Sequence, residues 1–124
     1  MSDYRDLVTN EPITHAVILR RYPDGLETNV LHFVTHHSPS GFEWGHEGSG
    51  PADLALNILE AVLKKMHYHG RKVDCWRGQC FELAWRLHQD FKREFIASMP
   101  REGGVIYYPV ITVWINDHAR ARST

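Results

Sequence analysis

Residues His36 to Leu63 decide the fold, and the centre of this stretch reads Ser38-Pro39-Ser40-Gly41-Phe42-Glu43-Trp44-Gly45-His46-Glu47-Gly48-Ser49-Gly50-Pro51-Ala52-Asp53. An aromatic and acidic loop passes into a glycine hinge, and the hinge opens directly into a periodic segment. No reaction follows from these residues alone. The stretch predicts a loop that leads into a helix, and the remaining elements are placed around that helix.

The segment after the hinge has the pattern of an amphipathic helix. Asp53, Asn57, Glu60 and Lys64 fall on the side opposite its apolar residues, and Glu60 and Lys64 are spaced for an i,i+4 ion pair. Pro51 suits the first turn, where a missing N–H costs nothing. Ser49 or Gly50 can cap the helix. The apolar stripe recurs at steps of three and four and consists of Ala55, Ile58, Leu59, Val62, Leu63 and Met66.

The turn Gly48-Ser49-Gly50 is a candidate anion site. A glycine turn that enters a helix leaves backbone N–H groups free, and these can hold a phosphate or carboxylate. The turn is neither a Walker loop nor a complete GxGxxG motif. Asp53 would also repel an anion. The alternative is a tight turn with a helix cap and no ligand.

Leu31 to Leu63 resembles a small uncharacterised bacterial family whose members also occur in phages and plasmids. The resemblance rests on the His-Ser-Pro-x-Gly-Phe-Glu-Trp-Gly core and the Gly-Ser-Gly-Pro-Ala-Asp-Leu-Ala-Leu-Asn-Ile-Leu run. The segment from His88 to Glu94 is similar to a second signature of that family, tyrosine-Gln-Asp-Phe-Lys-Arg-Glu. The resemblance implies a phage or mobile-element gene and no particular chemistry. This chain departs from the pattern at His46, where an aromatic residue is common, and around His67 to Cys80.

Length and charge limit the classes of protein. A chain of 124 residues is expected to form one domain, residues 1–124, with a real core. A net charge of −1 argues against binding by broad phosphate neutralisation, so nucleic acid is not the expected partner. No apolar run reaches the length of a membrane span. Two cysteines without a signal peptide predict a reduced, cytoplasmic protein, in the host cell if the gene is phage-borne.

The pattern along the rest of the chain predicts an α+β domain of two layers. About three strands form an antiparallel sheet, and two helices pack on one of its faces. Residues 1–12 read as an arm pinned by Tyr4 and Leu7, and residues 117–124 as a frayed tail. The predicted elements are strands at 15–22 and 27–35, the central helix, an irregular link at 67–78, a second helix at 78–98 and a strand at 105–115.

A zinc site is one candidate chemistry. His67, His69, Cys75 and Cys80 supply four ligands of suitable type for a tetrahedral zinc ion. The four-residue spacing between the cysteines is wider than in the common zinc knuckle, and Cys80 lies on the apolar stripe of the second predicted helix. The alternative is a core cysteine, a surface cysteine and two histidines at the end of a helix. On that alternative the protein needs no cofactor.

No catalytic residue is assigned. The cluster of His36, His37, Glu43, His46 and Glu47 could ligate a metal or transfer protons near neutral pH, but no motif fixes its geometry. Neither a nucleophile elbow nor a base for Cys75 is present. The sequence therefore favours binding over catalysis.

The expected binding surface is aromatic and basic. Trp, Tyr and Arg dominate the energy of protein interfaces, and loops on a rigid scaffold often carry them. The alternative is that Trp44 and Phe42 fold inward and cover the sheet. The candidate binding residues are Phe42, Glu43, Trp44, His46, Ser49, Gly50, Arg71, Trp76 and Arg77.

Three hypotheses about function follow. The first is a non-enzymatic binding protein of a phage or mobile element, acting on a protein partner and inhibiting a host defence protein. The second is a binder of a nucleotide or phosphate at Gly48 to Asp53. The third is a zinc-binding protein. The sequence leaves the identity of the partner and the oligomeric state open, a dimer included.

Overall fold

The fold is known from a computed structural model that describes residue 5 and residues 9–122. Within these described residues, three helices and two small sheets form one α+β domain, which confirms the predicted fold class. The elements in chain order are β1 (Ala16–Tyr22), β2 (Gly25–Thr28), α1 (Ser49–Lys65), β3 (Lys72–Asp74), β4 (Gln79–Phe81), α2 (Glu82–Phe91) with a π-helical turn (Lys92–Ile96), β5 (Gly103–Tyr107) and α3 (Tyr108–Arg122).

The larger sheet is antiparallel and has the strand order β2-β1-β5. In its register, Leu19 lies opposite Thr28 on β2, and Val17 lies opposite Ile106 on β5. Val17, Leu19 and Ile106 alternate with residues of the other face and join the hydrophobic core. This face of the sheet therefore contributes to the same core as the apolar sides of the helices.

The second strand ends earlier than predicted. It was expected to reach residue 35, but β2 ends at Thr28 and residues 29–34 form no strand. The Asn29 side chain replaces the next backbone pairing, because its Oδ1 accepts from the Ile18 N–H and its Nδ2 donates to the Ala16 carbonyl. The chain can therefore leave the sheet while the Ile18 N–H and the Ala16 carbonyl of β1 keep hydrogen-bond partners.

Helix α1 lies at the centre of the core, with most of its residues buried on every side. It ends in a Schellman motif, because the Tyr68 N–H donates to the Leu63 carbonyl and the His67 N–H to the Lys64 carbonyl. His67 takes the left-handed position of that motif with a φ of 56°. The predicted i,i+4 ion pair is present, with 3.7 Å between Lys64 Nζ and Glu60 Oε2.

The second helix is shorter than predicted and begins after a hairpin. Residues 67–78 were expected to be an irregular link, and the helix to start near residue 78. Instead β3 and β4 pair in antiparallel register, with Val73 opposite Cys80. Helix α2 starts only at Glu82, and its last turn is π-helical, with the Ala97 N–H donating to the Lys92 carbonyl. Leu83, Ala84, Leu87 and Phe91 form its buried apolar stripe, whereas Cys80, which was predicted to lie on this helix, belongs to β4.

The third helix corrects the prediction of a strand at 105–115. Strand β5 ends at Tyr107, and α3 begins at the next residue with Pro109 in its first turn. β-branched residues suggested a strand. However, Ile111, Trp114 and Ile115 recur at steps of three and four, and all three are buried. The expected frayed tail is also wrong as far as residue 122, because α3 continues to Arg122.

The arm that was predicted at residues 1–12 is described only in part. Tyr4 and Leu7, its expected anchors, lie outside the described residues. Arg5 forms an isolated bridge with Pro12, and its carbonyl accepts a hydrogen bond from the Arg20 guanidinium. Among the described residues, no helix is both long enough and apolar enough to cross a membrane.

Candidate functional site

The polar side of α1 organises the site. Polar residues opposite an apolar stripe usually face water. Here Asp53, Asn57 and Glu60 have no exposed surface, and each accepts hydrogen bonds from backbone N–H groups of other segments. Their spacing of four and three residues forms a buried polar row along one side of the helix. This row replaces the backbone pairing that a neighbouring strand would normally provide.

Asp53 holds three consecutive residues that follow the sheet. Its carboxylate lies 2.8 Å from the N–H nitrogens of His37 and Ser38 and 3.2 Å from that of His36. A carboxylate that accepts several N–H groups is a strong acceptor, because each bond is charge-assisted. The backbone of residues 36–38 is thus fixed although it belongs to no helix or strand.

Asn57 holds the beginning of the same segment, and Glu60 reaches one further segment. Asn57 Oδ1 accepts from the N–H groups of Phe33 and Val34, and its Nδ2 donates to the Val34 carbonyl. Glu60 Oε1 accepts from the Phe81 N–H at 2.8 Å. The row therefore connects segment 33–38 to the start of α2 through one face of α1.

Four side chains between segment 33–38 and α2 form a histidine–tryptophan cluster: His36, His37, Trp85 and His88. The Nε2 atoms of His37 and His88 are 3.0 Å apart. The His36 ring meets the Trp85 indole edge-on, with 4.6 Å between centroids, and the His37 ring lies parallel to that indole. Segment 33–38 supplies the first two residues, and α2 supplies the other two.

The hydrogen bonds of this cluster define which ring nitrogens of His37 and His88 carry a proton. His88 is 2% exposed, and its Nδ1 lies 2.6 Å from the Trp85 carbonyl, which can only accept. Nδ1 therefore carries the proton, and Nε2 of neutral His88 accepts from Nε2–H of His37. Burial lowers the pKa of His88 to about 4 and also lowers the pKa of His37. Because both pKa values are lowered, both rings are neutral at pH 7.

The hairpin tip beside this cluster, Cys75 to Gly78, presents an exposed tryptophan. The Trp76 indole is 56% exposed, and Cζ of Arg77 lies 4.8 Å from the centre of its ring. Two backbone hydrogen bonds of 2.8 and 3.0 Å join Arg77 to Thr35. The Trp76 N–H donates to Nδ1 of His36. We call Trp76 and Arg77 the Trp76–Arg77 tip.

The aromatic loop of the predicted surface faces mostly inward. Trp44 is 1% exposed, and its Nε1–H donates to the Arg101 carbonyl. Phe42 is half-buried and stacks on His32, with 4.4 Å between ring centroids. Of the alternative that Trp44 and Phe42 fold inward to cover the sheet, the inward position is observed for Trp44. Trp44 contributes to stability and has almost no surface for a partner.

Glu43 and Arg71 are held in ion pairs. The Glu43 carboxylate accepts hydrogen bonds from the Arg21 guanidinium, which hold the pKa of Glu43 below its ordinary value. The Arg71 side chain is largely exposed, and its Nε lies 3.4 Å from a carboxylate oxygen of Glu82. Of the nine predicted binding residues, Trp76 and Arg77 are therefore those at the exposed hairpin tip.

The helix N-terminus is covered at the predicted anion site. Gly50 is buried, and a Cβ at that position would lie 2.7 Å from Cβ of Glu43. Ser49 is exposed, but neither it nor another side chain caps the helix, whose N-cap is Gly48. His46 bonds through its ring to the Glu47 carbonyl. A phosphate at Gly50 would require the loop that carries Glu43 to move away.

The four predicted zinc ligands are divided between different elements. His67 and His69 lie beyond the C-terminus of α1, whereas Cys75 and Cys80 face each other on the β3–β4 hairpin. Across residue 5 and residues 9–122, no group of three or more His, Cys, Asp or Glu side chains is placed to hold one metal ion. The two thiols are the part of the predicted set that the fold brings together.

Trp85 and His88 are site residues that the sequence analysis did not assign. The available signal was an indole and an imidazole three residues apart on a predicted helix, which places them on one face. Their partners His36 and His37 lie about fifty residues earlier in the chain. Only the path of segment 33–38, fixed by Asp53 and Asn57, brings the two pairs together.

These features define a class: a small α+β domain whose buried polar helix row supports a histidine–tryptophan cluster and an exposed hairpin tip. A model of DUF6166, a family of unknown function, matches residues 11–73, half of the chain. The protein belongs to this family. The matched region includes segment 33–38 and the whole of α1, but it ends before the hairpin tip and α2. No curated protein and no solved structure matches the chain.

Proposed function

We propose that this protein is a non-enzymatic binding protein and that it contacts another protein through the Trp76–Arg77 tip. The observation that carries the proposal is the exposure of the Trp76 indole on a well-supported hairpin. An indole in water contributes little to the stability of the fold, whereas at interfaces Trp and Arg are the residue types that most often dominate affinity.

The backbone around the tip supports this role. Thr35, His36 and Gly78 each hydrogen-bond to the backbone of the tip or of adjacent Cys75. A contact residue that is already held in place loses less conformational entropy on binding, so more of the contact energy appears as affinity. The guanidinium of Arg77 lies over the same indole and adds a charged group that can pair with an acidic residue of the partner.

The resemblance to proteins of bacteria, phages and plasmids suggests the kind of partner. We propose a host protein, and inhibition of a host defence protein is the specific form that we favour, in the cytoplasm of the host cell. A nucleotide has less support, because Gly50 in the turn that would hold its phosphate is buried against Glu43. Zinc has less support, because within residue 5 and residues 9–122 no three His, Cys, Asp or Glu side chains are placed to hold one ion.

Affinity capture from a bacterial lysate tests the proposal. Tagged wild-type protein, Trp76→Ala and Val113→Ala would be immobilised in parallel, and the captured proteins identified by mass spectrometry. Val113 is a matched control because it is also apolar and is 60% exposed, but on α3. We expect wild type and Val113→Ala to capture the same partner, and Trp76→Ala to bind it at least about 30-fold more weakly.

Circular dichroism and thermal unfolding would verify that each variant is folded. If folded Trp76→Ala captures the same partner as strongly as Val113→Ala, the tip is not the contact surface. If no variant and no wild-type sample captures any protein above the tag alone, binding to a host protein is contradicted.

A further inference from the structure

Two thiols face each other on the β3–β4 hairpin. Sγ of Cys75 lies 3.2 Å from Sγ of Cys80. Cys80 is fixed opposite Val73 by the strand register, and the N–H of Cys75 donates to the Gly78 carbonyl at 2.9 Å. The hairpin backbone therefore holds both cysteines in place, and their approach does not depend on a flexible segment.

We infer that Cys75 and Cys80 are a reversible modification site, at which a small-molecule disulfide oxidises the two thiols to one intramolecular disulfide. An S–S bond is about 2.05 Å long, so the sulfur atoms must approach by only about 1 Å. Small rotations of the two side chains can provide this. The bond would close a short loop that contains the Trp76–Arg77 tip.

The reaction balances with the external disulfide as the oxidant. The Cys75 thiolate attacks one sulfur of the small disulfide, forms a mixed disulfide and releases one thiolate. The Cys80 thiolate then attacks Sγ of Cys75, which forms the intramolecular bond and releases the second thiolate. The two protons lost by the cysteines are taken up by the two released thiolates. The protein loses two hydrogen atoms, and the small disulfide is reduced to two thiols.

The different burial of the two cysteines explains why Cys75 reacts with the external disulfide first and Cys80 second. Cys75 is partly exposed and can meet an external reagent, whereas Cys80 is buried. Burial raises the pKa of both thiols, so the thiolate needed for attack is scarce at neutral pH. We therefore expect slow oxidation at pH 7 and faster oxidation at a pH of about 8.5.

Mass spectrometry of the folded protein incubated with oxidised glutathione tests the inference. The reaction would be quenched with acid, and remaining thiols alkylated under denaturing conditions. We expect the wild-type chain to become about 2 Da lighter, with neither cysteine alkylated, and to recover both thiols after treatment with a reductant. The melting temperature should rise on oxidation and fall again on reduction, because the cross-link restricts the unfolded chain.

Two variants separate the steps. Cys80→Ser should stop at a mixed disulfide and gain the mass of one glutathione at Cys75. Cys75→Ser should remain unmodified, because Cys80 is buried. The inference is overturned if the wild-type chain also stops at the mixed disulfide, forms a dimer linked between chains, or retains both thiols. These outcomes are read without any binding partner, so they are independent of the capture experiment.

Discussion

Asp53 is a charged residue without exposed surface, and its surroundings explain why the fold tolerates it. Three consecutive backbone N–H groups surround the carboxylate, and it lies in the second turn of α1. Removing a partner from a buried charge leaves polar groups without hydrogen bonds, which costs more than the bonds themselves contribute. The same reasoning makes the replacement of Asp53 costly even when the shape of the side chain is kept.

We expect Asp53→Asn to lower the free energy of unfolding by roughly 2 to 4 kcal/mol. The substitution keeps the shape of the side chain but replaces one acceptor oxygen with an NH₂ group, which would face the N–H groups of residues 36–38. Urea unfolding would measure the loss. Asp117→Asn on the exposed side of α3 is the control and should stay within about 0.5 kcal/mol of wild type. Equal losses for the two variants would contradict the role given to Asp53.

The lowered pKa of His88 makes the stability of the fold depend on pH. Its pKa is about 4 in the folded protein and near 6.5 when the chain is unfolded, so the unfolded chain takes up its proton first as the pH falls. The free energy of unfolding should therefore decrease from pH 6.5 downward and lose about 3 kcal/mol by pH 4 through this group. His37, whose pKa is also lowered, adds to the same trend.

The groups around His88 are His36, His37 and Asp53, and the prediction is made for the intact cluster. Thermal unfolding between pH 7 and about pH 4.5 would measure the slope above the range in which most carboxylates titrate. His88→Gln should flatten that slope, whereas His15→Gln, which changes an exposed histidine, should leave it unchanged. A slope that is the same in wild type and in His88→Gln would show that His88 is not the titrating group.

At the scale of elements, Gly103 explains how β5 can lie next to β1. Its φ is +107°, and a Cβ there would lie 2.0 Å from the Leu19 carbonyl oxygen. Gly41 has nearly the same φ, +109°, but nothing lies within 4 Å of its Cβ position. Alanine substitutions at these two glycines therefore distinguish the cost of backbone strain from the cost of steric overlap.

We expect Gly41→Ala to cost about 1 kcal/mol, from the unfavourable φ alone. Gly103→Ala should cost more than about 3 kcal/mol, or prevent folding, because β5 must also move away from β1. The yield of folded protein and its midpoint in urea would measure both. Similar midpoints for the two variants would mean that β5 does not pack against Leu19 as described.

The elements that could be predicted from sequence are those whose signals are local. Helix α1 follows from an apolar repeat within seventeen residues, and the β1–β2 hairpin follows from the turn residues Pro23, Asp24 and Gly25. The end of β2 could not be predicted, because it depends on the Asn29 amide bonding to β1. The start of α3 at Tyr108 was missed because β-branched residues outweighed the helical spacing of Ile111, Trp114 and Ile115.

The candidate site was less predictable than the fold, because it depends on contacts between distant segments. The polar spacing of Asp53, Asn57 and Glu60 was visible, but not that the row would be buried against segment 33–38 and Phe81. Trp76 and Arg77 could be named from residue type alone. The inward position of Trp44 could not be decided, since the same residue types occur in cores and at interfaces.

At the scale of the whole molecule, the site depends on one structural support. The buried polar row of α1 holds segment 33–38 as firmly as a sheet would, and this segment in turn supports the histidine–tryptophan cluster and the Trp76–Arg77 tip. A segment without helix or strand normally opens easily, so its amides exchange with solvent quickly. We therefore expect slow amide exchange in segment 33–38, although this stretch would be classified as a loop.

Hydrogen exchange of the native wild-type protein, read residue by residue by NMR, is the most direct test. We predict that the amides of Phe33, Val34, His37 and Ser38 exchange as slowly as those in the middle of α1, because they open only when the core unfolds. The exposed loop at residues 46–48 provides the fast reference in the same spectrum. If the four amides exchange as fast as that loop, α1 does not hold segment 33–38, and the support for the site is absent.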